Sequence, residues 1–206
     1  MTVISARRVT PLVGQEKTIM HRMLRMAGVV TRHGGNSRIA KIVAGAHAGS
    51  IEIWNMYENH AAAAKSFAAY TQDPEYLALM QERAVSPAAG GVQGPNVARF
   101  AVGGSSGRPM IHRREWLVER SNLPRMIELA HEAISLVEPH GATASLIVPS
   151  MAEEHDKIIA AYGFNSMEHW GTVLDNMLAD EKMRDLQNRA ADLGKLVCSS
   201  GCVIVA

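Results

Sequence analysis

An internal repeat constrains this chain more than any other feature. Shifting the sequence on itself by 106 residues lays 53–84 over 159–190 without a gap. Ile53, Asn59, Glu75, Gln81, Arg83 and Ala84 then coincide with Ile159, Asn165, Glu181, Gln187, Arg189 and Ala190. The apolar pattern follows the same offset, with Ala64, Phe67, Ala68, Leu77 and Met80 falling on Trp170, Val173, Leu174, Met183 and Leu186. These spacings keep one helical face apolar in both copies. Arg7-Arg8 falls on Arg113-Arg114, whereas His33-Gly34 meets His140-Gly141 one residue out of step, which reads as a small insertion. A period of this length indicates duplication of one structural unit.

Each copy reads as strand, helix, strand, strand, helix, strand. Strands are expected at 4–9, 38–46, 51–57 and 97–102, and again at 111–119, 144–148, 157–162 and 202–205. The first helix of copy one carries a stripe of Ile19, Met20, Met23, Ala27 and Val30. Its counterpart carries Leu123, Met126, Ile127, Ala130, Ile134 and Val137. Both stop at the His-Gly pair, where glycine supplies the left-handed residue that ends a helix. Asn59 and Asn165 are placed to cap the second helices, and the run from Asn165 to Glu168 has capping-box spacing. Asp73-Pro74 is expected to break the first-copy helix. The Gly/Pro/Ser-rich stretches 86–95 and 103–109 read as linkers.

This element order is the ferredoxin-like split βαβ arrangement. The expected fold class is therefore α+β, with one ferredoxin-like repeat over 1–104, a linker over 105–109 and a second repeat over 110–206. Each four-stranded sheet has a helix-free face, and the two faces are expected to bury each other as an intramolecular α+β barrel. Strands such as 38–46 and 156–164 are apolar on both parities, as sheets covered on both sides should be.

Composition removes several function classes. Apolar residues make up 47% of the chain and charged residues 20%, enough for a real core. The 21 basic and 20 acidic side chains leave a net charge of +1, so no one-sign field draws the chain to nucleic acid or an anionic membrane. No apolar run reaches the roughly 18 residues of a membrane span, and the first residues lack a leader pattern, so a cytoplasmic protein is expected. Cys198 and Cys202 are too few for a disulfide scaffold and are expected to be free thiols. The glycine run 103–107 leads into a strand rather than a helix, so it does not cradle phosphate. No nucleophile elbow, Walker or dinucleotide fingerprint occurs.

Residues 50–84, SIEIWNMYENHAAAAKSFAAYTQDPEYLALMQERA, resemble the third strand and second helix of the dimeric α+β barrel superfamily. The resemblance is to the antibiotic-biosynthesis-monooxygenase-like and NIPSNAP-like members. It rests on an aromatic-bearing strand, a polar turn, a helix, an Asp-Pro-Glu restart and a final apolar turn. It covers about a third of the first copy, the rest following by element order. The resemblance implies a pocket between sheet and helices, and a barrel that two chains usually form but that a tandem chain would form alone, or with a further pairing into a homodimer or higher homo-oligomer. Activities in the superfamily include cofactor-independent monooxygenases, polyketide cyclases, lactone isomerases, haem-degrading enzymes and haem peroxidase relatives, so the fold does not give the function. The Asn and Trp that quinol-type monooxygenases place on the third strand correspond here to Ile53 and Tyr57, and to Ile159 and Gly163. The iron-ligating histidine of the haem-degrading members has no counterpart among Leu79, Met80 and Gln81 or Asp185, Leu186 and Gln187.

The candidate site residues therefore sit on the third strands and the starts of the second helices. Tyr57, His60 and His169 are candidates for proton transfer, since a neutral imidazole beside a phenol can shuttle protons near working pH. Tyr162, Trp170, Arg114 and Trp54 are candidates for substrate binding. Strand alternation sends one arginine of each adjacent pair inward, where it could hold a carboxylate or phenolate. The plainer alternatives are a helix-start surface for the histidines, an exposed basic strand end for the arginines and core aromatics for the tryptophans. His131 and His169 are the helical histidines a haem could use, but neither has a companion ligand at metal spacing. The expectation is thus a small-molecule enzyme of the cofactor-independent monooxygenase, cyclase or isomerase type, acting on an apolar, aromatic or polyketide-like substrate. The alternatives are a non-enzymatic ligand-binding or stress-related barrel, and a haem-binding protein of the peroxidase or chlorite-dismutase type. No cofactor and no metal are expected in the first two.

Overall fold

The computed structural model describes residues 2–206. The first repeat runs β1 (Val3–Pro11), α1 (Glu16–Arg32), β2 (Asn36–Gly45), β3 (Ile51–Tyr57), α2 (His60–Tyr70), α3 (Pro74–Val85) and β4 (Ala89–Val102). The second runs β5 (Met110–Val118), α4 (Leu123–Val137), β6 (Thr143–Met151), β7 (Lys157–Phe164), α5 (Met167–Ala179), α6 (Glu181–Leu193) and β8 (Gly194–Ile204). Within each repeat the strands pair in the order β4-β1-β3-β2 and β8-β5-β7-β6, all antiparallel.

The expected fold class needs correcting in how the repeats meet. They do not stack as two separate sheets, face on face. β2 hydrogen-bonds to β8 and β4 to β6, so the repeats join edge to edge. The eight strands form one continuous sheet, closed in the cyclic order β1-β3-β2-β8-β5-β7-β6-β4. Edge joining satisfies the backbone groups that each isolated four-stranded sheet would leave unpaired. It also sets the interior, where Ile4, Ala40, Ile42, Trp54, Met56, Phe100, Ile111 and Cys202 from both repeats meet. The opposite face of each half is covered by its own helices.

The repeat offset is also corrected. Asn59 caps α2 by accepting the Ala62 amide, and Ser166, not Asn165, caps α5 by accepting the His169 amide. Asp73 caps α3 and Asp180 caps α6 in the same way, so both helix starts lie 107 residues apart. Gly34 and Gly141, at φ +87° and +72°, share that offset, so the His-Gly pair is in step and marks no insertion. A slip of one residue moves a strand side chain to the other face of the sheet. At 106, Ile53 of the helix side would match Ile159, which faces the interior; at 107 its counterpart is Ala160.

Two further differences follow from tertiary pairing. β4 and β8 begin well before the expected 97 and 202, because β1 and β5 supply partners for their polar, glycine-rich starts. Most of 86–95 is therefore strand rather than linker. The second-copy helix is broken at Asp180 as the first is at Asp73-Pro74, although no proline stands there.

Candidate functional site

Alternation along β1 and β5 separates each arginine pair. Arg8 and Arg113 point into the interior, where both reach Glu52. Arg8 Nε donates to one carboxylate oxygen at 2.8 Å, and Arg113 Nη1 donates to the other at 2.6 Å. Trp54 Nε1 donates to that second oxygen at 2.7 Å, with the Arg113 guanidinium 5.6 Å from its ring centroid. Glu52 is 2% exposed. Burial opposes its ionisation, but the two guanidiniums outweigh that and hold its pKa down at about 2. Trp54 is thus tied into a charge network joining the repeats. Glu52 was missed in the sequence, although a carboxylate between Ile51 and Ile53 on a buried strand is itself a signal of pairing.

Arg7 and Arg114 point to the helix side. Arg114 lies 6.0 Å from the Tyr162 ring centroid, and Trp170 Nε1 donates to His112 Nδ1 at 3.4 Å. Burial, then the Arg114 charge, pushes the His112 pKa down to about 4, so its imidazole is neutral at ordinary pH. Arg114, Tyr162 and Trp170 are therefore brought together, with Tyr162 and Trp170 packed in the helix-side core of the second repeat. His169 stands apart. Its Nδ1 accepts the Asn165 amide at 3.1 Å and its Nε2 donates to the His140 carbonyl at 2.8 Å, so both ring nitrogens hold the backbone. His60 is exposed at the start of α2, and Tyr57 is buried in the helix-side core of the first repeat, where burial raises its pKa. The proposed acid-base set of Tyr57, His60 and His169 does not converge.

A cavity of about 200 Å³ opens between the first-repeat sheet and its helices α1 and α3. Its wall is Val9, Ile19, Met23, Met26, Leu79 and Met80, with Arg7 on the strand side and Arg83 at the rim. Arg22 also borders it, but its charge is spent on Glu82 at 2.7 Å and the Ser86 carbonyl at 2.9 Å. Arg7 is different. It is half-buried, no carboxylate among the described residues pairs with it, and its Nε is buried without a hydrogen-bond partner. An unpaired guanidinium facing an apolar cavity favours an anion there. The wall carries no histidine, cysteine, tyrosine or carboxylate, so it offers no group for proton transfer near neutral pH.

Haem does not fit these residues. His131 is exposed on the solvent side of α4, and His169 has no free nitrogen. No cluster of three or more metal-ligating side chains occurs among the described residues. Nor, among them, is any helix long and apolar enough to cross a membrane.

The duplicated ferredoxin-like architecture is shared with several solved structures. A provisionally named monooxygenase of Fusobacterium nucleatum superposes with a TM-score of 0.66 at 9% identity, covering 100% of this chain and 93% of that one. A Listeria monocytogenes ferredoxin-fold protein related to antibiotic biosynthesis monooxygenases gives 0.53 at 8%, covering 100% and 95%. Chlorite dismutase from Candidatus Nitrospira defluvii, in complex with imidazole, gives 0.56 at 8%, covering 100% and 91%. No family model matches the sequence, and no curated protein matches it. At such identities the likeness is one of fold.

Proposed function

We propose that this protein binds a small apolar molecule carrying one negative charge, in the first-repeat pocket between sheet and helices. The observation that carries this reading is Arg7, whose guanidinium borders an apolar cavity without a carboxylate to neutralise it. Three methionines, Met23, Met26 and Met80, give the wall an unbranched and adaptable lining suited to such a guest. The absence of an acid, base or nucleophile from the wall favours binding over catalysis. The reading requires no cofactor.

Calorimetric titration with phenylacetate and with its neutral counterpart phenylacetamide tests it. The anion should bind more tightly, and Arg7→Leu should weaken it by about tenfold or more while leaving the amide little changed. Arg7→Lys should retain part of the preference, since it keeps the charge and loses the fork. Equal affinity for acid and amide in the unaltered protein would overturn the reading.

A further inference from the structure

The sheet encloses a second cavity, of about 150 Å³, in its interior and away from the helix-side pocket. Apolar side chains form its body, among them Ile4, Met56, Phe100, Ile111 and Ile147. Protein interiors pack closely, and an apolar void of this size is able to take up a small aromatic molecule.

The two ends of the cavity differ in charge balance. At one end Glu52 is matched by Arg8 and Arg113. At the other stands Arg38, half-buried, whose Nη2 donates to the Arg108 carbonyl at 2.7 Å. No carboxylate among the described residues pairs with Arg38, and burial alone lowers its pKa. Hydroxyls gather at this end. Ser145 and Ser106 line the cavity, and the Thr143 hydroxyl is buried without a partner beside Ser106 and Gly163. Any side chain at Gly163 would collide with both hydroxyls, its Cβ falling 2.5 Å from Ser106 Oγ and 2.6 Å from Thr143 Oγ1. A cation, an unpartnered Thr143 hydroxyl and an apolar body describe a receptor for a compact acid.

We infer that the interior is a second binding site, taking a compact aromatic or branched monocarboxylate with its carboxylate against Arg38 and its apolar body along Met56 and Phe100. Entry lies at the opposite end. There Arg8, Gln93, Asn96 and Ile147 also border an outer basin of about 210 Å³, whose rim includes the exposed residues His47, Glu153 and Glu154. The site does not depend on the helix-side pocket and stands whether or not that one is occupied.

The test uses the full chain carrying Arg7→Leu, so that the helix-side pocket no longer favours anions, with methyl-labelled methionine and benzoate as the probe. The Met56 methyl signal should shift and saturate. Arg38→Met should weaken that binding by about tenfold or more, and Arg38→Lys should restore most of it. Ala161→Leu, which narrows the cavity without touching a charge, should also weaken it and decides the matter if Arg38→Met does not fold by circular dichroism. A Met56 signal unmoved by benzoate, or an affinity unchanged by these substitutions, would overturn the inference.

Discussion

Val9 and Trp116 hold the same place in the two repeats, the one lining a cavity and the other packed in a core. Val9 on β1 faces Ile51 on β3, and Trp116 on β5 faces Ile158 on β7. Both are buried against helices. Val9 lines the helix-side cavity, whereas Trp116 packs in the helix-side core of the second repeat. The neighbours compensate: around Trp116 stand Ala130 and Ala160, where the first repeat has the larger Met23 and Ile53.

Exchanging these residues should exchange the property. Trp116→Val should create a cavity in the second repeat at about 3–5 kcal/mol of stability, the usual range for truncating a buried large side chain. Val9→Trp should abolish phenylacetate binding at the helix-side pocket and destabilise by about 1–3 kcal/mol, because Met23 and Ile53 do not leave room for the indole. Denaturant unfolding gives both energies, and calorimetry gives the binding. A Val9→Trp protein that bound at the helix-side pocket as before would show that this cavity is not the receptor.

Much of the fold was legible because duplication doubles every signal. The two apolar stripes, the paired His-Gly stops and the Asp73-Pro74 break each mark an element. Register was not legible. Helical spacing tolerates a shift of one residue, and six identities at 106 concealed the true offset, which only the caps and strand partners fix. The early parts of β4 and β8 were hidden for another reason: Gly90 and Gly91 have no intrinsic strand preference and are extended because β1 lies beside them. For the site, alternation correctly separated Arg7 from Arg8. The pocket wall itself is Met, Ile and Leu, which in sequence cannot be told from ordinary core, whereas His60, Tyr57 and His169 stand out by residue type.

Glu52 should govern tolerance to acid. Its pKa falls from an ordinary 4.5 to about 2 on folding, so its contribution is complete above 4.5 and is lost as pH falls toward 2. Glu52→Gln should destabilise the protein by about 3 kcal/mol at pH 7, since it leaves Arg113 buried with its charge unmatched. Stability of the variant should then fall less steeply than that of the unaltered protein between pH 4.5 and 2. Urea unfolding at a series of pH values measures both slopes; parallel slopes would contradict the assignment.

The two histidines should behave differently. His169→Ala strips a partner from the Asn165 amide and the His140 carbonyl, and should lower stability by about 1–2 kcal/mol. His60 is exposed, so His60→Ala should stay within about 0.5 kcal/mol. Neither substitution should change phenylacetate affinity, and a tenfold loss in either would return that residue to the binding site.

The methionines offer the most direct test of where the ligand sits. Met23, Met26 and Met80 line the helix-side pocket, Met56 lines the interior cavity, and Met177 and Met183 belong to the filled core of the second repeat. In a methyl-methionine spectrum titrated with phenylacetate, the signals of Met23, Met26 and Met80 should move together and saturate at one affinity. Those of Met177 and Met183 should remain still. Movement confined to Met177 and Met183, or no movement at the first three, would contradict the account.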